Sequence, residues 1–176
     1  INPLVQYNYV YDILYPGDAI EASSAKGYRI LDNEIDGCNS VNGNINVSNL
    51  EGGEPGIVRG NIIKNTGYHF AINVSGSKGN VIIDNNTIIN AKTGGIFVYK
   101  NESVSEDNPT VIEITNNIID SYATEPVQGT DYKEKYLRES ASAIAVSYNL
   151  TGGIQPIVII SGNITSNGGE GMPVMA

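Results

Sequence analysis

Apolar and polar residues alternate with a period of two in short runs that recur along the chain. Five of these runs close on an asparagine at the same relative place: Asn33, Asn61, Asn86, Asn117 and Asn163. An aliphatic residue stands three positions before each asparagine: Ile30, Val58, Ile83, Ile114 and Ile160. Two positions after the asparagine come Ile35, Ile63, Ile88, Ile119 and Thr165. This alternation predicts short β-strands with one buried face.

A second set of runs interleaves with the first. Each run carries apolar residues at its second and fourth positions, and the leading apolar residues are Ile20, Ile45, Ile72, Ile96, Ile144 and Met172. Successive leads are separated by 25, 27, 24, 48 and 28 residues. The one long step holds a single copy of the first run, which predicts one coil with an inserted loop near 123–142.

Two interleaved runs with a period of roughly 25 residues predict an all-β, single-stranded parallel β-helix of about six coils. Stacked coils, about 4.8 Å apart, pair their backbone groups and bury a column of aliphatic side chains. The recurring asparagine predicts a column of stacked amides at a turn, since Asn tolerates left-handed backbone geometry. A β-sandwich and a left-handed solenoid are the alternatives. The common register of the two sets disfavours the first, and the missing hexapeptide period disfavours the second.

The repeat resembles that of right-handed parallel β-helix proteins, which include pectate-lyase-like proteins, NosD-type repeat proteins and phage tailspikes. The resemblance covers about residues 17–176 and implies the right-handed winding. It implies no single activity, because such proteins include lyases, hydrolases, epimerases, adhesins and inert stalks. The paired Asp-Asp and the Gly-His-Gly of polygalacturonase-type hydrolases do not occur in this sequence.

The chain of 176 residues is long enough for one domain, residues 1–176. We expect residues 1–16 to form a Tyr-rich lead-in and residues 17–176 to form the coils. Neither end carries a polar capping element of the kind that usually covers a solenoid edge. We therefore expect a segment of a longer chain, or a homo-oligomer that is trimeric or stacked end to end.

The charge of the chain narrows the classes of partner. The formal net charge is −9 at pH 7, which disfavours nucleic acids and anionic membrane surfaces because both require a basic face. The apolar runs are far shorter than the roughly 20 residues that span a bilayer, so no membrane insertion is expected. The single cysteine, Cys38, excludes a disulfide within the chain.

Carboxylates are the natural catalysts of polysaccharide cleavage, as acid–base pairs or as Ca²⁺ ligands. Arg59 and Asp84 fall on adjacent coils at one outward position, where they form either a cross-strand ion pair or the beginning of a catalytic site. An enzyme of this kind would be a polysaccharide lyase or a glycoside hydrolase. Asp32, Glu34 and Asp36 are a candidate Ca²⁺ site, and no other cofactor is predicted.

Aromatic side chains and sequons supply the remaining candidates. Phe97 and Tyr99 interrupt a polar outward stripe, while Tyr132 and Tyr136 lie four residues apart in the inserted loop, on one side of a short helix. Aromatic rings at such places suit contact with the apolar faces of sugars. Two of the Asn-x-Ser/Thr sequons, at Asn101 and Asn149, fall in predicted loops and are the glycosylation candidates.

The sequence therefore predicts an extracellular β-helix that binds or processes a polysaccharide or a cell-surface glycan. Such a protein resembles a phage spike or appendage, or a secreted carbohydrate-active protein, and belongs outside the cell, on its surface or on a virion. The alternative is a structural stalk, sheath or surface-layer subunit without catalytic activity.

Overall fold

The computed structural model describes residues 2–13, 17–39, 43–67, 69–99, 101–103, 105–124, 142–147 and 153–169. Within these ranges the chain forms 17 β-strands and no helix. The strands pair only in parallel, in three sheets that stack as a β-solenoid. The predicted all-β parallel solenoid is confirmed.

Each coil contributes one strand to each sheet, so the strands recur in the order first, second, third sheet. The first sheet contains β1 (Leu4–Gln6), β4 (Arg29–Leu31), β7 (Gly56–Arg59), β10 (Val81–Asp84), β13 (Val111–Thr115) and β16 (Ile157–Ser161). The second contains β2 (Tyr9–Tyr11), β5 (Glu34–Asp36), β8 (Ile62–Thr66), β11 (Thr87–Ala91), β14 (Ile118–Tyr122) and β17 (Ile164–Ser166). The third contains β3 (Ile20–Ala25), β6 (Ile45–Asn49), β9 (Phe70–Ser75), β12 (Gly94–Tyr99) and β15 (Ile144–Ser147).

The described residues therefore build five complete coils and two strands of a sixth, slightly fewer than the predicted count. The coils also begin earlier than expected. The predicted lead-in, residues 1–16, contains β1 and β2, which pair with β4 and β5 as members of the first coil. The longest connection between strands of the second and third sheets runs from β14 to β15, where the inserted loop was predicted.

The predicted inward positions form the core. In the first sheet Ile30, Val58, Ile83 and Ile114 stack in register, and all four are fully buried. Equivalent aliphatic columns run through the second and third sheets, with Ile63 and Ile72 at their centres. Because each side chain packs on its counterparts above and below, burial of apolar area holds the coils together along the whole axis.

The corner between the first and second sheets has two residues in every coil. The first adopts a left-handed conformation with φ between 51° and 68°, at Tyr7, Asp32, Gly60, Asn85, Asn116 and Gly162. The second is always asparagine: Asn8, Asn33, Asn61, Asn86, Asn117 and Asn163. Each amide donates to the side-chain oxygen of the next asparagine at 2.9–3.0 Å. The predicted amide column is confirmed, and Asn8 extends it by one coil. The left-handed conformation expected of these asparagines is instead adopted by the residue before each of them.

A second buried polar column follows the third sheet. The Gly27 N–H donates to Asn49 Oδ1, the Asn49 N–H donates to Ser77 Oγ, and the Ser77 N–H donates to Asn101 Oδ1, at 2.8–3.0 Å. Asn49, Ser77 and Asn101 are at most 2% exposed. These side chains satisfy backbone donors at a corner whose length changes from coil to coil.

Candidate functional site

Arg59 and Asp84 lie side by side at the ends of β7 and β10, as the sequence predicted. Arg59 Nε donates to Asp84 Oδ2 at 2.9 Å. The other oxygen, Asp84 Oδ1, accepts from Thr115 Oγ1 at 2.9 Å and from Asn116 Nδ2 at 3.0 Å. Asp84 therefore ties three successive coils together on the outer face of the first sheet.

These contacts determine the protonation state of Asp84. Partial burial by itself raises the pKa of this carboxyl, but hydrogen bonds from Asn116 and Thr115 and the charge of Arg59 outweigh it and hold the pKa below its ordinary value. A glycosidase general acid needs a raised pKa. The geometry favours the ion-pair role of Arg59 and Asp84, and their catalytic role stays a prediction.

The three carboxylates considered for Ca²⁺ accept hydrogen bonds from three different side chains. Glu34 Oε1 accepts from Lys64 Nζ at 2.6 Å, and Asp36 Oδ1 accepts from Asn65 Nδ2 at 2.8 Å. Asp32 Oδ2 accepts from Gln6 Nε2 at 3.4 Å. Among the described residues, no group of three or more His, Cys, Asp or Glu side chains is arranged to hold a metal ion.

Phe97 was expected on an open outward stripe of the third sheet; it lies on the outer side as predicted, but the expected openness of that face is wrong. Phe97 is 1% exposed, and its ring stacks on the Phe70 ring with the centroids 4.8 Å apart. The Phe70 ring reaches it across Gly94, where an added Cβ would lie 2.4 Å from the ring. The neighbouring outward amide, Asn73, is also buried. A sugar cannot stack on Phe97 in this conformation.

The remaining candidates are the other three aromatic residues and the two sequons. Tyr99 is partly exposed and stacks on Phe97, with the ring centroids 5.5 Å apart. Tyr132, Tyr136 and Asn149 lie outside the described residues. Asn101 belongs to the second buried column, and its Nδ2 donates to the Val74 carbonyl at 3.1 Å. The open loop position predicted for this sequon is wrong, because its amide nitrogen is buried and already engaged.

A line of exposed tyrosines on the first coil was not predicted as a site. Tyr7, Tyr9 and Tyr11, here called the tyrosine strip, are 76%, 58% and 61% exposed. The rings of Tyr9 and Tyr11 stack with their centroids 5.2 Å apart and their planes 28° from parallel. Both rings project from the outer face of the second sheet, while Val10 between them packs against the core.

The tyrosine strip lies beside the carboxylates of the second coil. Tyr9 pairs in register with Glu34, and Tyr11 pairs with Asp36. Tyr7 and Asp32 occupy the same left-handed corner position in successive coils. We call Asp32, Glu34 and Asp36 the carboxylate row. The signal was available in the sequence, because tyrosine occupies every second position from 7 to 11 and an acid every second position from 32 to 36.

Lys64 is the cation that borders the carboxylate row on the third coil. Its hydrogen bond to Glu34, and the charges of Glu34 and Asp36, hold the pKa of the Lys64 ammonium above its ordinary value. Asp36 faces Lys64 in register, but the ammonium of Lys64 forms its ion pair with Glu34. Among the described residues, Lys64 is therefore the one cation that forms an ion pair with one of the three carboxylates.

The described part of the chain contains no helix long and apolar enough to cross a membrane. Comparison of the sequence and of the structure with protein-family models, curated proteins and solved structures finds no match.

Proposed function

We propose that this protein binds a polysaccharide along the tyrosine strip, without cleaving it. The observation that carries the proposal is the exposure of three tyrosines at alternate positions of the first coil, with the rings of Tyr9 and Tyr11 stacked. Large aromatic side chains gain free energy from burial, so a line of exposed rings is typical of a contact surface. The flat faces of the rings complement the C–H faces of pyranose sugars.

Polar groups beside the rings support the same function. The hydroxyl groups of the tyrosines and the oxygens of the carboxylate row offer hydrogen-bond partners to sugar hydroxyl groups. An extended sheet face suits an extended polymer, because sugar units can contact several coils in succession. The proposal assigns the protein to an extracellular, cell-surface or virion location, where such polymers occur.

The environment of Asp84 supports the proposal of binding over cleavage by a general acid. Its carboxylate accepts hydrogen bonds at both oxygens and its pKa lies below the ordinary value. A carboxylate whose pKa lies below its ordinary value is a poor proton donor to a leaving group at neutral pH.

The test uses calorimetric titration of the protein with soluble polysaccharides that are neutral, cationic and anionic. We expect saturable binding of at least one polymer, and at least a tenfold loss of affinity in the Tyr7→Ala/Tyr9→Ala/Tyr11→Ala variant. The matched control is Ile118→Ala, which removes an exposed apolar side chain from the same sheet four coils away. The proposal fails if no polymer binds, or if the triple variant binds as the parent does.

A second candidate function, that of a structural stalk or sheath subunit, is favoured by a different surface. Ile62, Ile89 and Ile118 are 37–44% exposed on the outer face of the second sheet. Apolar side chains on a flat sheet face favour contact between copies of the chain. Light scattering after size exclusion tests this candidate. Large open-ended assemblies that Ile118→Lys disperses would support it, whereas a defined trimer would favour the spike or appendage and a monomer at all concentrations would contradict it.

A further inference from the structure

We infer that the polysaccharide bound at the tyrosine strip is cationic, a polymer of amino sugars with free amino groups. This inference rests on the proposed function and specifies its ligand. Each tyrosine has a carboxylate as its neighbour in the next coil: Tyr7 with Asp32, Tyr9 with Glu34, and Tyr11 with Asp36. The two coils are about 4.8 Å apart. A sugar that stacks on a ring can therefore direct an amino substituent toward a carboxylate.

The carboxylate row retains acceptor capacity for a ligand. One oxygen of each carboxylate accepts from Gln6, Lys64 or Asn65. The other oxygens, Asp32 Oδ1, Glu34 Oε2 and Asp36 Oδ2, accept no hydrogen bond from the described residues. An ionised carboxylate can accept several hydrogen bonds, and those from ammonium donors are among the strongest.

The charge at this surface selects among sugars. Among the described residues the carboxylate row is ion-paired with one cation, Lys64, so negative charge is in excess beside the rings, on a chain whose net charge is −9. A uronic acid polymer would place like charges together, which disfavours binding. A neutral polymer would gain the ring contact alone, without an ionic partner for the row.

The tyrosine rings are the second and independent element of the site. The face of a tyrosine ring attracts an ammonium group within about 6 Å of its centroid. The same amino group can therefore contact a ring face and the adjacent carboxylate, and neither contact requires a pocket. A run of acids without rings would attract cations of any shape, whereas the stacked Tyr9 and Tyr11 rings add a requirement for a flat ring.

The experiment compares oligomers of β-1,4-linked glucosamine with N-acetylglucosamine and galacturonate oligomers of the same length, by calorimetric titration. We expect glucosamine oligomers to bind at least tenfold more tightly than the other two. Their binding should also weaken as salt is raised from 0.05 M to 0.5 M, because added ions screen exposed charges.

Two variants separate the inference from the proposed function. Asp32→Asn/Glu34→Gln/Asp36→Asn keeps the shape of the row and should bring the affinities for glucosamine and N-acetylglucosamine oligomers within about twofold of each other. Glu113→Gln, which removes a carboxylate from the first sheet, is the matched control and should keep the preference.

Each outcome tests either the inferred ligand or the proposed function. Equal affinity for all three oligomers, or a preference for galacturonate, overturns the inferred ligand and leaves polysaccharide binding in place. A preference for glucosamine that survives in the triple carboxylate variant also overturns it. If no oligomer binds, the proposed function itself fails.

Discussion

Truncation of one asparagine in the corner column should destabilise the solenoid strongly. Asn86 lies in the middle of the column and is 1% exposed. Its Oδ1 accepts from the backbone N–H and from the side-chain amide of Asn61, at 3.0 and 2.9 Å. Its Nδ2 donates to Asn117 Oδ1 and to the carbonyl of Val58, each at 3.0 Å. One side chain therefore satisfies groups in the coil before it and in the coil after it.

The cost of Asn86→Ala follows from the group it leaves without a partner. The buried Asn61 N–H loses its acceptor, whereas the Val58 carbonyl loses an amide donor but stays within the paired strands of the first sheet. A buried polar group without a partner costs about 1–3 kcal/mol. With an m-value of about 2 kcal/mol/M, the urea midpoint should fall by about 0.5–1.5 M.

The assay is urea unfolding followed by far-UV circular dichroism, with Asn8→Ala as the matched control. Asn8 occupies the same corner position in the first coil but is exposed, and Asn33 Oδ1 keeps the hydrogen bond from the Asn8 backbone. We expect Asn8→Ala to cost less than about 1 kcal/mol. If both variants unfold at the same urea concentration, burial does not determine the strength of the column and the argument is refuted.

Ile83→Asp should prevent folding because it places a charge in the buried column, whereas Ile82→Asp, at the partly exposed neighbouring position, should melt close to the parent; equal melts would contradict the inward assignment. Tyr28→Phe should raise the free energy of unfolding by about 1 kcal/mol in urea titrations, because the Tyr28 hydroxyl is fully buried with no hydrogen-bond partner among the described residues. A lower free energy of unfolding would show that the hydroxyl does have a hydrogen-bond partner. Gly56→Ala should lower the free energy of unfolding by about 1–3 kcal/mol, since an added Cβ would clash with the Tyr28 ring. An unchanged urea midpoint would contradict this packing. Because the pKa of Asp84 is lowered in the folded state, its stabilisation is complete above the ordinary aspartate pKa of about 3.9 and is lost as the pH falls through the lowered value. Urea midpoints between pH 7 and pH 2 should therefore fall less steeply in Asp84→Asn than in the parent. Parallel curves would show that ionisation of Asp84 does not contribute to the pH dependence of stability.

The coils could be predicted because local sequence determines them directly. Alternation fixes which side of a strand is buried, and a coil that slipped by one residue would expose the aliphatic residue that it should bury. The first coil could also have been found, since Val5, Asn8 and Val10 repeat the pattern of Ile30, Asn33 and Ile35. Its outward tyrosines hide the alternation, because they are as large and as β-prone as the residues that face inward.

The outer faces could not be predicted in the same way. Alternation places Phe97 on the outside of the third sheet, which is correct, but it does not determine what lies over that face. Burial of Phe97 depends on the ring of Phe70, the first residue of β9 in the preceding coil. This ring lies over Gly94 and stacks on the Phe97 ring. The tyrosine strip has no comparable cover, and its exposure depends on contacts between distant residues that a local pattern does not encode.

The two-residue corner between the first and second sheets allows coils to be added or changed in length elsewhere. Successive asparagines of the corner column are separated by 25, 28, 25, 31 and 46 residues, yet the corner itself always contains two residues. All variation in length is therefore confined to the rest of each coil. Whole coils can be duplicated, lost or enlarged by insertions during evolution without disturbing the register of their neighbours. A designer could add a peptide at the variable corners and use the asparagine edge as a fixed reference.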